Sequence, residues 1–229
     1  MDYHSLYKYY KRSYLEIKQQ LKQVAGEQKD FKTVSSSSYS TEKPYHFKQL
    51  SEIISKYIDT EHKHQVLDLN AHIGGFCIRW AMDYLLSNVT AIEYDKEIYA
   101  VLNENIDSFG TTNLKVLEGD SFQIVTTDLT KTKFDFIYMD PPWIAQHGTK
   151  YKYLREIDLF YGKHNAIELI KFILSKNISP LIFFKIPRNY RFESLNTENS
   201  IKYKTYNIWG DNLKKTCPDY LLLVICKSI

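Results

Sequence analysis

Apolar positions along the chain follow two rhythms. Between Tyr3 and Val24, Leu6, Tyr10, Tyr14, Ile17 and Leu21 recur at intervals of three and four with lysines between them, which predicts an amphipathic helix. Gly26 to Lys43 is polar and holds the run Ser35-Ser36-Ser37-Ser38, so it predicts a linker or loop. A second helix is predicted from Tyr45 to Ile58, with Phe47, Leu50, Ile53, Ile54 and Tyr57 as its stripe. Beyond it the rhythm changes. Short, continuous apolar runs alternate with helical spacing: Val66 to Leu69, then Gly74-Gly75 and a helix to Leu86; Val89 to Glu93, then a helix from Asp95 to Phe109 closed by Gly110. Leu114 to Leu117 follows, with a short helix after Asp120, and then Phe134 to Met139, which stops at Asp140. A helix over Asn165 to Ser175 precedes a strand over Leu181 to Ile186.

The last two apolar runs, Tyr203 to Trp209 and Tyr220 to Lys227, have no helix between them and are expected to pair antiparallel. Strands that are apolar throughout and alternate with helices predict an α/β fold, a mostly parallel sheet covered on both faces. The expected division is an N-terminal helical extension with its linker, residues 1–44, and an α/β domain, residues 45–229.

Composition narrows the class. A hydrophobic fraction of 44% suffices for a core, and a charged fraction of 25% is ordinary. No run approaches the roughly 18 apolar residues of a membrane span, and the first residues, MDYHSLYKYYKR, hold no secretory apolar region. Cys77, Cys217 and Cys226 are odd in number and form no C-x-x-C pair, which excludes a disulfide framework and a cysteine zinc site. The expectation is a reducing intracellular compartment, nucleus or cytoplasm. A net charge of +3 and pI near 8.5 fall short of the ~9 of dedicated duplex-DNA binders. The 19 tyrosines allow two readings: stacking faces for bases, or the codon usage of an AT-rich genome.

In an open parallel sheet, ligands bind beyond the carboxyl ends of the strands. The first strand ends in Asp68-Leu69-Asn70-Ala71-His72-Ile73-Gly74-Gly75, where glycines let the backbone approach a ligand. The second ends at Glu93, an acid placed to accept both hydroxyls of a ribose. After the third come Asp120, Ser121 and Phe122, an acceptor for an adenine amine and a flank for its ring. Asp68, Asn70, Gly74, Glu93, Asp120, Ser121 and Phe122 in that order describe an adenosine pocket.

The fourth strand ends in Asp140-Pro141-Pro142-Trp143. Two prolines make a stiff turn without backbone donors, leaving the Asp140 side chain and the Pro141 carbonyl as acceptors for an amine. Trp143 beside them offers a stacking face for a flat base. His62, His64 and His147 form no metal set, so no metal is expected.

This arrangement resembles class I S-adenosylmethionine-dependent methyltransferases that act on exocyclic amines and carry (D/N/S)-P-P-(Y/F/W). Within them it is most similar to the RNA cap guanine-N2 methyltransferases, the trimethylguanosine synthases. Lys8-Tyr9-Tyr10 with Tyr14 resembles the family's K-Y-W followed by Tyr, Asp68 to Gly75 resembles D-A-F-C-G-V-G-G, Asp140 to Trp143 resembles S-P-P-W, and Pro187-Arg188-Asn189 resembles L-P-R-N. The resemblance implies a Rossmann-like sheet of seven strands, S-adenosylmethionine as cofactor, and a monomer acting on the 7-methylguanosine cap of RNA at the exocyclic N2 amine. It makes Asp140 and Pro141 catalytic. Trp143, Pro142, Arg188 and Asn189 become substrate contacts, with Lys8, Tyr10 and Arg12 in the N-terminal extension.

The chain also departs from the family. His72 stands where the family has the first glycine of its turn, Phe76 replaces an asparagine, Asp140 replaces the serine, and Ile144-Ala145 stands where Gly-Gly is common. Two other expectations therefore stay open. Asp140 suits an adenine-N6 methyltransferase of DNA or RNA, and His72 suits a degenerate fold that binds RNA without catalysis.

Overall fold

The computed structural model describes residues 31–33, 42–143, 160–161, 164–190, 201–210 and 217–227. The helix predicted over Tyr3 to Val24 lies outside these residues. The chain divides into two compact units, residues 1–31 and 32–229, and all the elements below belong to the second.

The first described helix, α1 (Pro44–Ile54), starts on a proline, whose fixed φ suits the first helical position, and buries Phe47, Leu50, Ile53 and Ile54. It is followed by β1 (Gln65–Asp68), α2 (Cys77–Asp83), β2 (Asn88–Glu93), α3 (Lys96–Phe109), β3 (Leu114–Glu118), α4 (Ser121–Thr127) and β4 (Phe136–Met139). A two-stranded ribbon of β5 (Phe160–Tyr161) and β6 (His164–Asn165) leads into α5 (Ala166–Ser175) and β7 (Leu181–Ile186). Strands β8 (Ile201–Ile208) and β9 (Tyr220–Lys227) complete the sheet. Local signals set several boundaries. Asp95 caps α3 by accepting from the Glu97 and Ile98 amides at 2.9 and 3.1 Å, and Gly110 closes it at φ 68°.

The main sheet has seven strands in the order β3-β2-β1-β4-β7-β9-β8. All neighbours are parallel up to β7, and β9 runs antiparallel to both β7 and β8. Strand order reverses between β1 and β4, so the crevice at their carboxyl ends is the switch point where such sheets bind ligands. Ile186 pairs with Leu221, which brings the start of β9 to that same edge. Strands β4 and β7 are buried at every position, and α5 lays Ile167, Ile170 and Ile173 on them in the main core. The α/β architecture and the antiparallel closing pair match the sequence expectation. The β5–β6 ribbon was not expected, because two-residue strands leave no periodicity to read.

Candidate active site

The loop after β1 is folded by carboxylates that accept backbone amides. Asp68 Oδ1 accepts from Asn70 N at 3.2 Å, and Glu93 accepts from His72 N at 2.7 Å and Asp95 N at 2.9 Å. His72 occupies the left-handed region at φ 51°, a conformation costing a non-glycine residue about 1–2 kcal/mol. The histidine side chain thus does enter the turn where the family has glycine. Gly74, at φ 101°, is required for a second reason: a Cβ there would lie 2.3 Å from Ile78 Cδ1. Ser121 Oγ donates to the Leu69 carbonyl and ties α4 to this loop. Asp120 caps α4 by accepting from Gln123 N at 2.8 Å, and Phe122 stacks on His164 at 3.8 Å and 6°. Tyr94, 73% exposed, follows Glu93 directly at this edge.

A small cleft opens between the β1 loop and the end of β4. Asp68, Asn70 and His72 line one side, Asp140, Tyr138 and Glu42 the other. Phe76, where the family has asparagine, stacks on Tyr138 at 3.9 Å and 15° and lines the cleft as well. Burial pushes Asp68 up to about 8, helped by the Asp140 and Glu93 charges and opposed by the Asn70 amide. Burial raises Glu93 too, against the amides it accepts.

The opposite side of the cleft is an ion network. Lys185 Nζ lies 2.8 Å from Asp140 Oδ2 and 3.0 Å from Glu42 Oε2. Glu42 also accepts from Tyr138 OH at 3.2 Å and Tyr220 OH at 2.9 Å, and faces His46 Nδ1 at 3.1 Å. Burial alone would raise Glu42, but Lys185, His46 and Tyr220 hold it down to about 2. Burial pushes Asp140 up to about 6, with Glu42 adding to the rise and Lys185 opposing it. Lys185 itself is held up by Asp140 and Glu42 against the effect of burial.

The predicted residues are thus placed as follows. Asp68, Asn70 and Asp140 share the cleft, and Glu93 holds its loop from behind. Asp120, Ser121 and Phe122 stand at the head of α4 beside it. Pro141 is buried and Pro142 exposed. Trp143 is half-buried, packs against the core and meets Tyr220 edge-on at 6.2 Å, with Lys185 Nζ 5.6 Å from its ring. Arg188 is exposed and Asn189 half-buried in the turn after β7. Lys8, Tyr10 and Arg12 lie outside the described residues. Sequence reasoning missed Glu42, His46, Lys185 and Tyr220. The available signal was Lys185 itself, a lysine inside the otherwise apolar run of β7.

A doubly wound sheet with this strand order and this cleft is that of a class I methyltransferase. Solved structures with the same fold include a putative RNA methyltransferase from Pyrococcus horikoshii, 19% identical with a TM-score of 0.51, covering 92% of this chain and 99% of that one. Another is a putative O-methyltransferase from Klebsiella pneumoniae, 13% identical with a TM-score of 0.54, covering 94% and 90%. The model of the RNA cap guanine-N2 methyltransferase family matches residues 63–221, and the chain belongs to that family. A curated relative, the uncharacterized protein L320 of Acanthamoeba polyphaga mimivirus, is 26% identical over 158 residues, 68% of this chain and 56% of the relative. The chain therefore spans little more than half the length of that relative.

Fold and family imply S-adenosylmethionine as methyl donor. The donor set fits such a ligand: Asp68 and Asn70 offer acceptors in the cleft beside the β1 turn, and Glu93 ends β2 at the same edge, the place at which a doubly wound sheet offers an acid to a ribose. Among the described residues no helix is long and apolar enough to cross a membrane, and no His, Cys, Asp or Glu cluster could hold a metal ion.

Proposed function

We propose that the protein methylates the exocyclic N2 amine of a 7-methylguanosine RNA cap. The observation that carries this reading is the placement of Asp140 in the cleft lining opposite the β1 loop, with Trp143 three residues further along the same turn. S-adenosylmethionine, when bound, supplies a methyl group already activated on a sulfonium. What the chain must do is hold and align. Asp68, Asn70 and the Gly74 turn hold the cofactor, with Glu93 accepting from its ribose and Asp120, Ser121 and Phe122 flanking its base. Asp140 and the Pro141 carbonyl accept the N–H groups of the amine and fix its lone pair towards the methyl group. Alignment of this kind is worth roughly 7–11 kcal/mol. Positive charge develops on the nitrogen, and Asp140 stabilises it; the proton then passes to water.

Trp143 stacks on the base. A cationic base such as 7-methylguanine would gain cation–π attraction on that ring as well as stacking area. Arg188 and Asn189, with Lys8, Tyr10 and Arg12 of the N-terminal segment, contact the cap phosphates and the RNA. The chain acts as a monomer inside the cell.

Adenine N6 is the second reading, and Asp140 in place of the family serine is what favours it. One assay tests both. The purified chain with labelled S-adenosylmethionine is offered 7-methylguanosine diphosphate, guanosine diphosphate and adenine-containing oligonucleotides. Transfer to the first alone is expected. Transfer to the oligonucleotides alone overturns the cap reading, and no cofactor binding by calorimetry overturns both. Removing residues 1–31, which leaves Glu42 in place, is expected to abolish binding of capped RNA and spare cofactor binding. Binding by the full chain should weaken as salt rises.

A further inference from the structure

All six residues of Leu181-Ile182-Phe183-Phe184-Lys185-Ile186 are buried. An ammonium in that position is costly unless it is paired. It is paired twice, with Asp140 at 2.8 Å and with Glu42 at 3.0 Å. Glu42 is the more deeply placed partner, its side chain 4% exposed against 22% for Asp140. It is anchored in turn by the Tyr138 and Tyr220 hydroxyls and by His46, whose Nε2 lies 2.9 Å from Asp219. Asp140 is therefore the cleft end of a continuous chain of side chains drawn from the segment before α1, from α1 and from β4, β7 and β9.

We propose that Lys185 and Glu42 are positioning residues: the Lys185 ammonium pins one oxygen of Asp140, Glu42 pins the ammonium, and the other Asp140 oxygen is left to the substrate amine. This rests on the reading that Asp140 accepts an amine N–H. The charged and titratable groups around Asp140 are Lys185 from β7, Glu42 with His46 behind it, Asp68 from β1, Tyr138 from β4, Tyr220 and Asp219 at the start of β9, and His72 across the cleft. Of these, Lys185 holds the carboxyl ionised and Glu42 works against it. The two partners thus act on Asp140 with opposite signs. Removing the cation leaves two carboxyls facing each other, and one of them takes up a proton. Removing the Glu42 charge leaves Asp140 alone with the cation. A purely space-filling role for either residue predicts neither change.

The test reads Asp140 directly, in the full-length chain labelled with 13C at the aspartate carboxyls. The Asp140 signal is assigned with Asp140→Asn, and folding is checked by circular dichroism. The wild-type signal is expected to titrate near pH 6. In Glu42→Gln it should titrate lower, and in Lys185→Met about one to three pH units higher. The acid limb of kcat/KM on 7-methylguanosine diphosphate should move in the same two directions. Where Lys185→Met alone does not fold, the double variant Glu42→Gln/Lys185→Met is compared with Glu42→Gln, and its Asp140 must titrate higher. Shifts of one sign in both single variants, or no shift in either, overturn the proposal. A chain inactive on caps whose Asp140 still shifts both ways overturns the cap reading and leaves the pinning of Asp140 standing. An active chain without those shifts does the reverse.

Discussion

The two sides of the cleft hold their carboxyls by different means. On the β1 side, backbone amides do the holding, over short stretches of chain: Asn70 to Asp68, Asp95 and His72 to Glu93, and Gln123 to Asp120 are separated by 2 to 21 residues. On the β7 side, apart from the neighbouring His46 and Glu42, the contacts run between side chains 45 to 178 residues apart. The consequence shows in the charges. Asp68, buried without a cation, is pushed up to about 8; Glu42, just as buried, is held down to about 2 by Lys185 and its hydrogen-bond donors. Burial sets the cost of a carboxylate, and the partner decides which form is kept.

The contrast can be broken most sharply at Lys185. Lys185→Ala leaves Glu42 and Asp140 without their cation, and urea unfolding should show a loss of about 3–5 kcal/mol. A loss below 1 kcal/mol would mean that the network does not hold this side together. Asp140→Asn comes next. It keeps the shape and removes the charge, so kcat should fall about 10²–10³-fold, the range for removing one preorganised electrostatic partner of a transition state. Calorimetric affinity for S-adenosylmethionine should stay within severalfold, because the β1 side is built separately. Affinity falling as far as kcat would erase the distinction between the two sides.

Acidity separates the sides by sign. Glu42 titrates near 2 when folded and at its ordinary 4.5 when unfolded, so its stabilisation is present above pH 4.5 and lost as pH falls towards 2. That term is on the order of 3 kcal/mol. Asp68 is raised from 3.8 to about 8, so its contribution is present below pH 3.8 and lost as pH rises towards 8. Stability curves should therefore flatten on the acid side, between pH 2 and 4.5, in Glu42→Gln and on the acid-to-neutral side, up to pH 8, in Asp68→Asn. Flattening on the same side in both would contradict the assignment. The smallest effect belongs to the β1 side: Asp95→Ala removes a helix cap and should cost about 1 kcal/mol in thermal unfolding. A cost above 3 kcal/mol would show that this side, too, is held by more than local turns.

The same contrast explains what the sequence disclosed. Asp68, Glu93 and Asp140 could be picked out because each ends an apolar strand, and the sheet brings all such ends to one edge. The β1 side is local, so spacing along the chain reports it. Glu42 lies in a polar stretch that predicts a linker, just outside the helix whose apolar stripe begins at Phe47. Its partners Tyr138, Lys185 and Tyr220 are on three other strands. Lys185 was visible as an anomaly in β7 without any sign of which acids would answer it. His72 was legible as a departure, and its φ of 51° is the physical form that departure takes.

The 178 residues between Glu42 and Tyr220 also fix an order of events during synthesis. At roughly 5–20 residues per second, the ribosome delivers the Tyr220 hydroxyl on the order of ten seconds or more after Glu42 has been made. The early strands and the β1 turn can settle as they emerge, since their partners arrive within a few dozen residues. Glu42 must wait through nearly the whole chain, and Lys185 for the last strand, before either is sealed from water. The β7 side of the cleft is in this sense a closing step of folding, completed when β9 slides in beside β7.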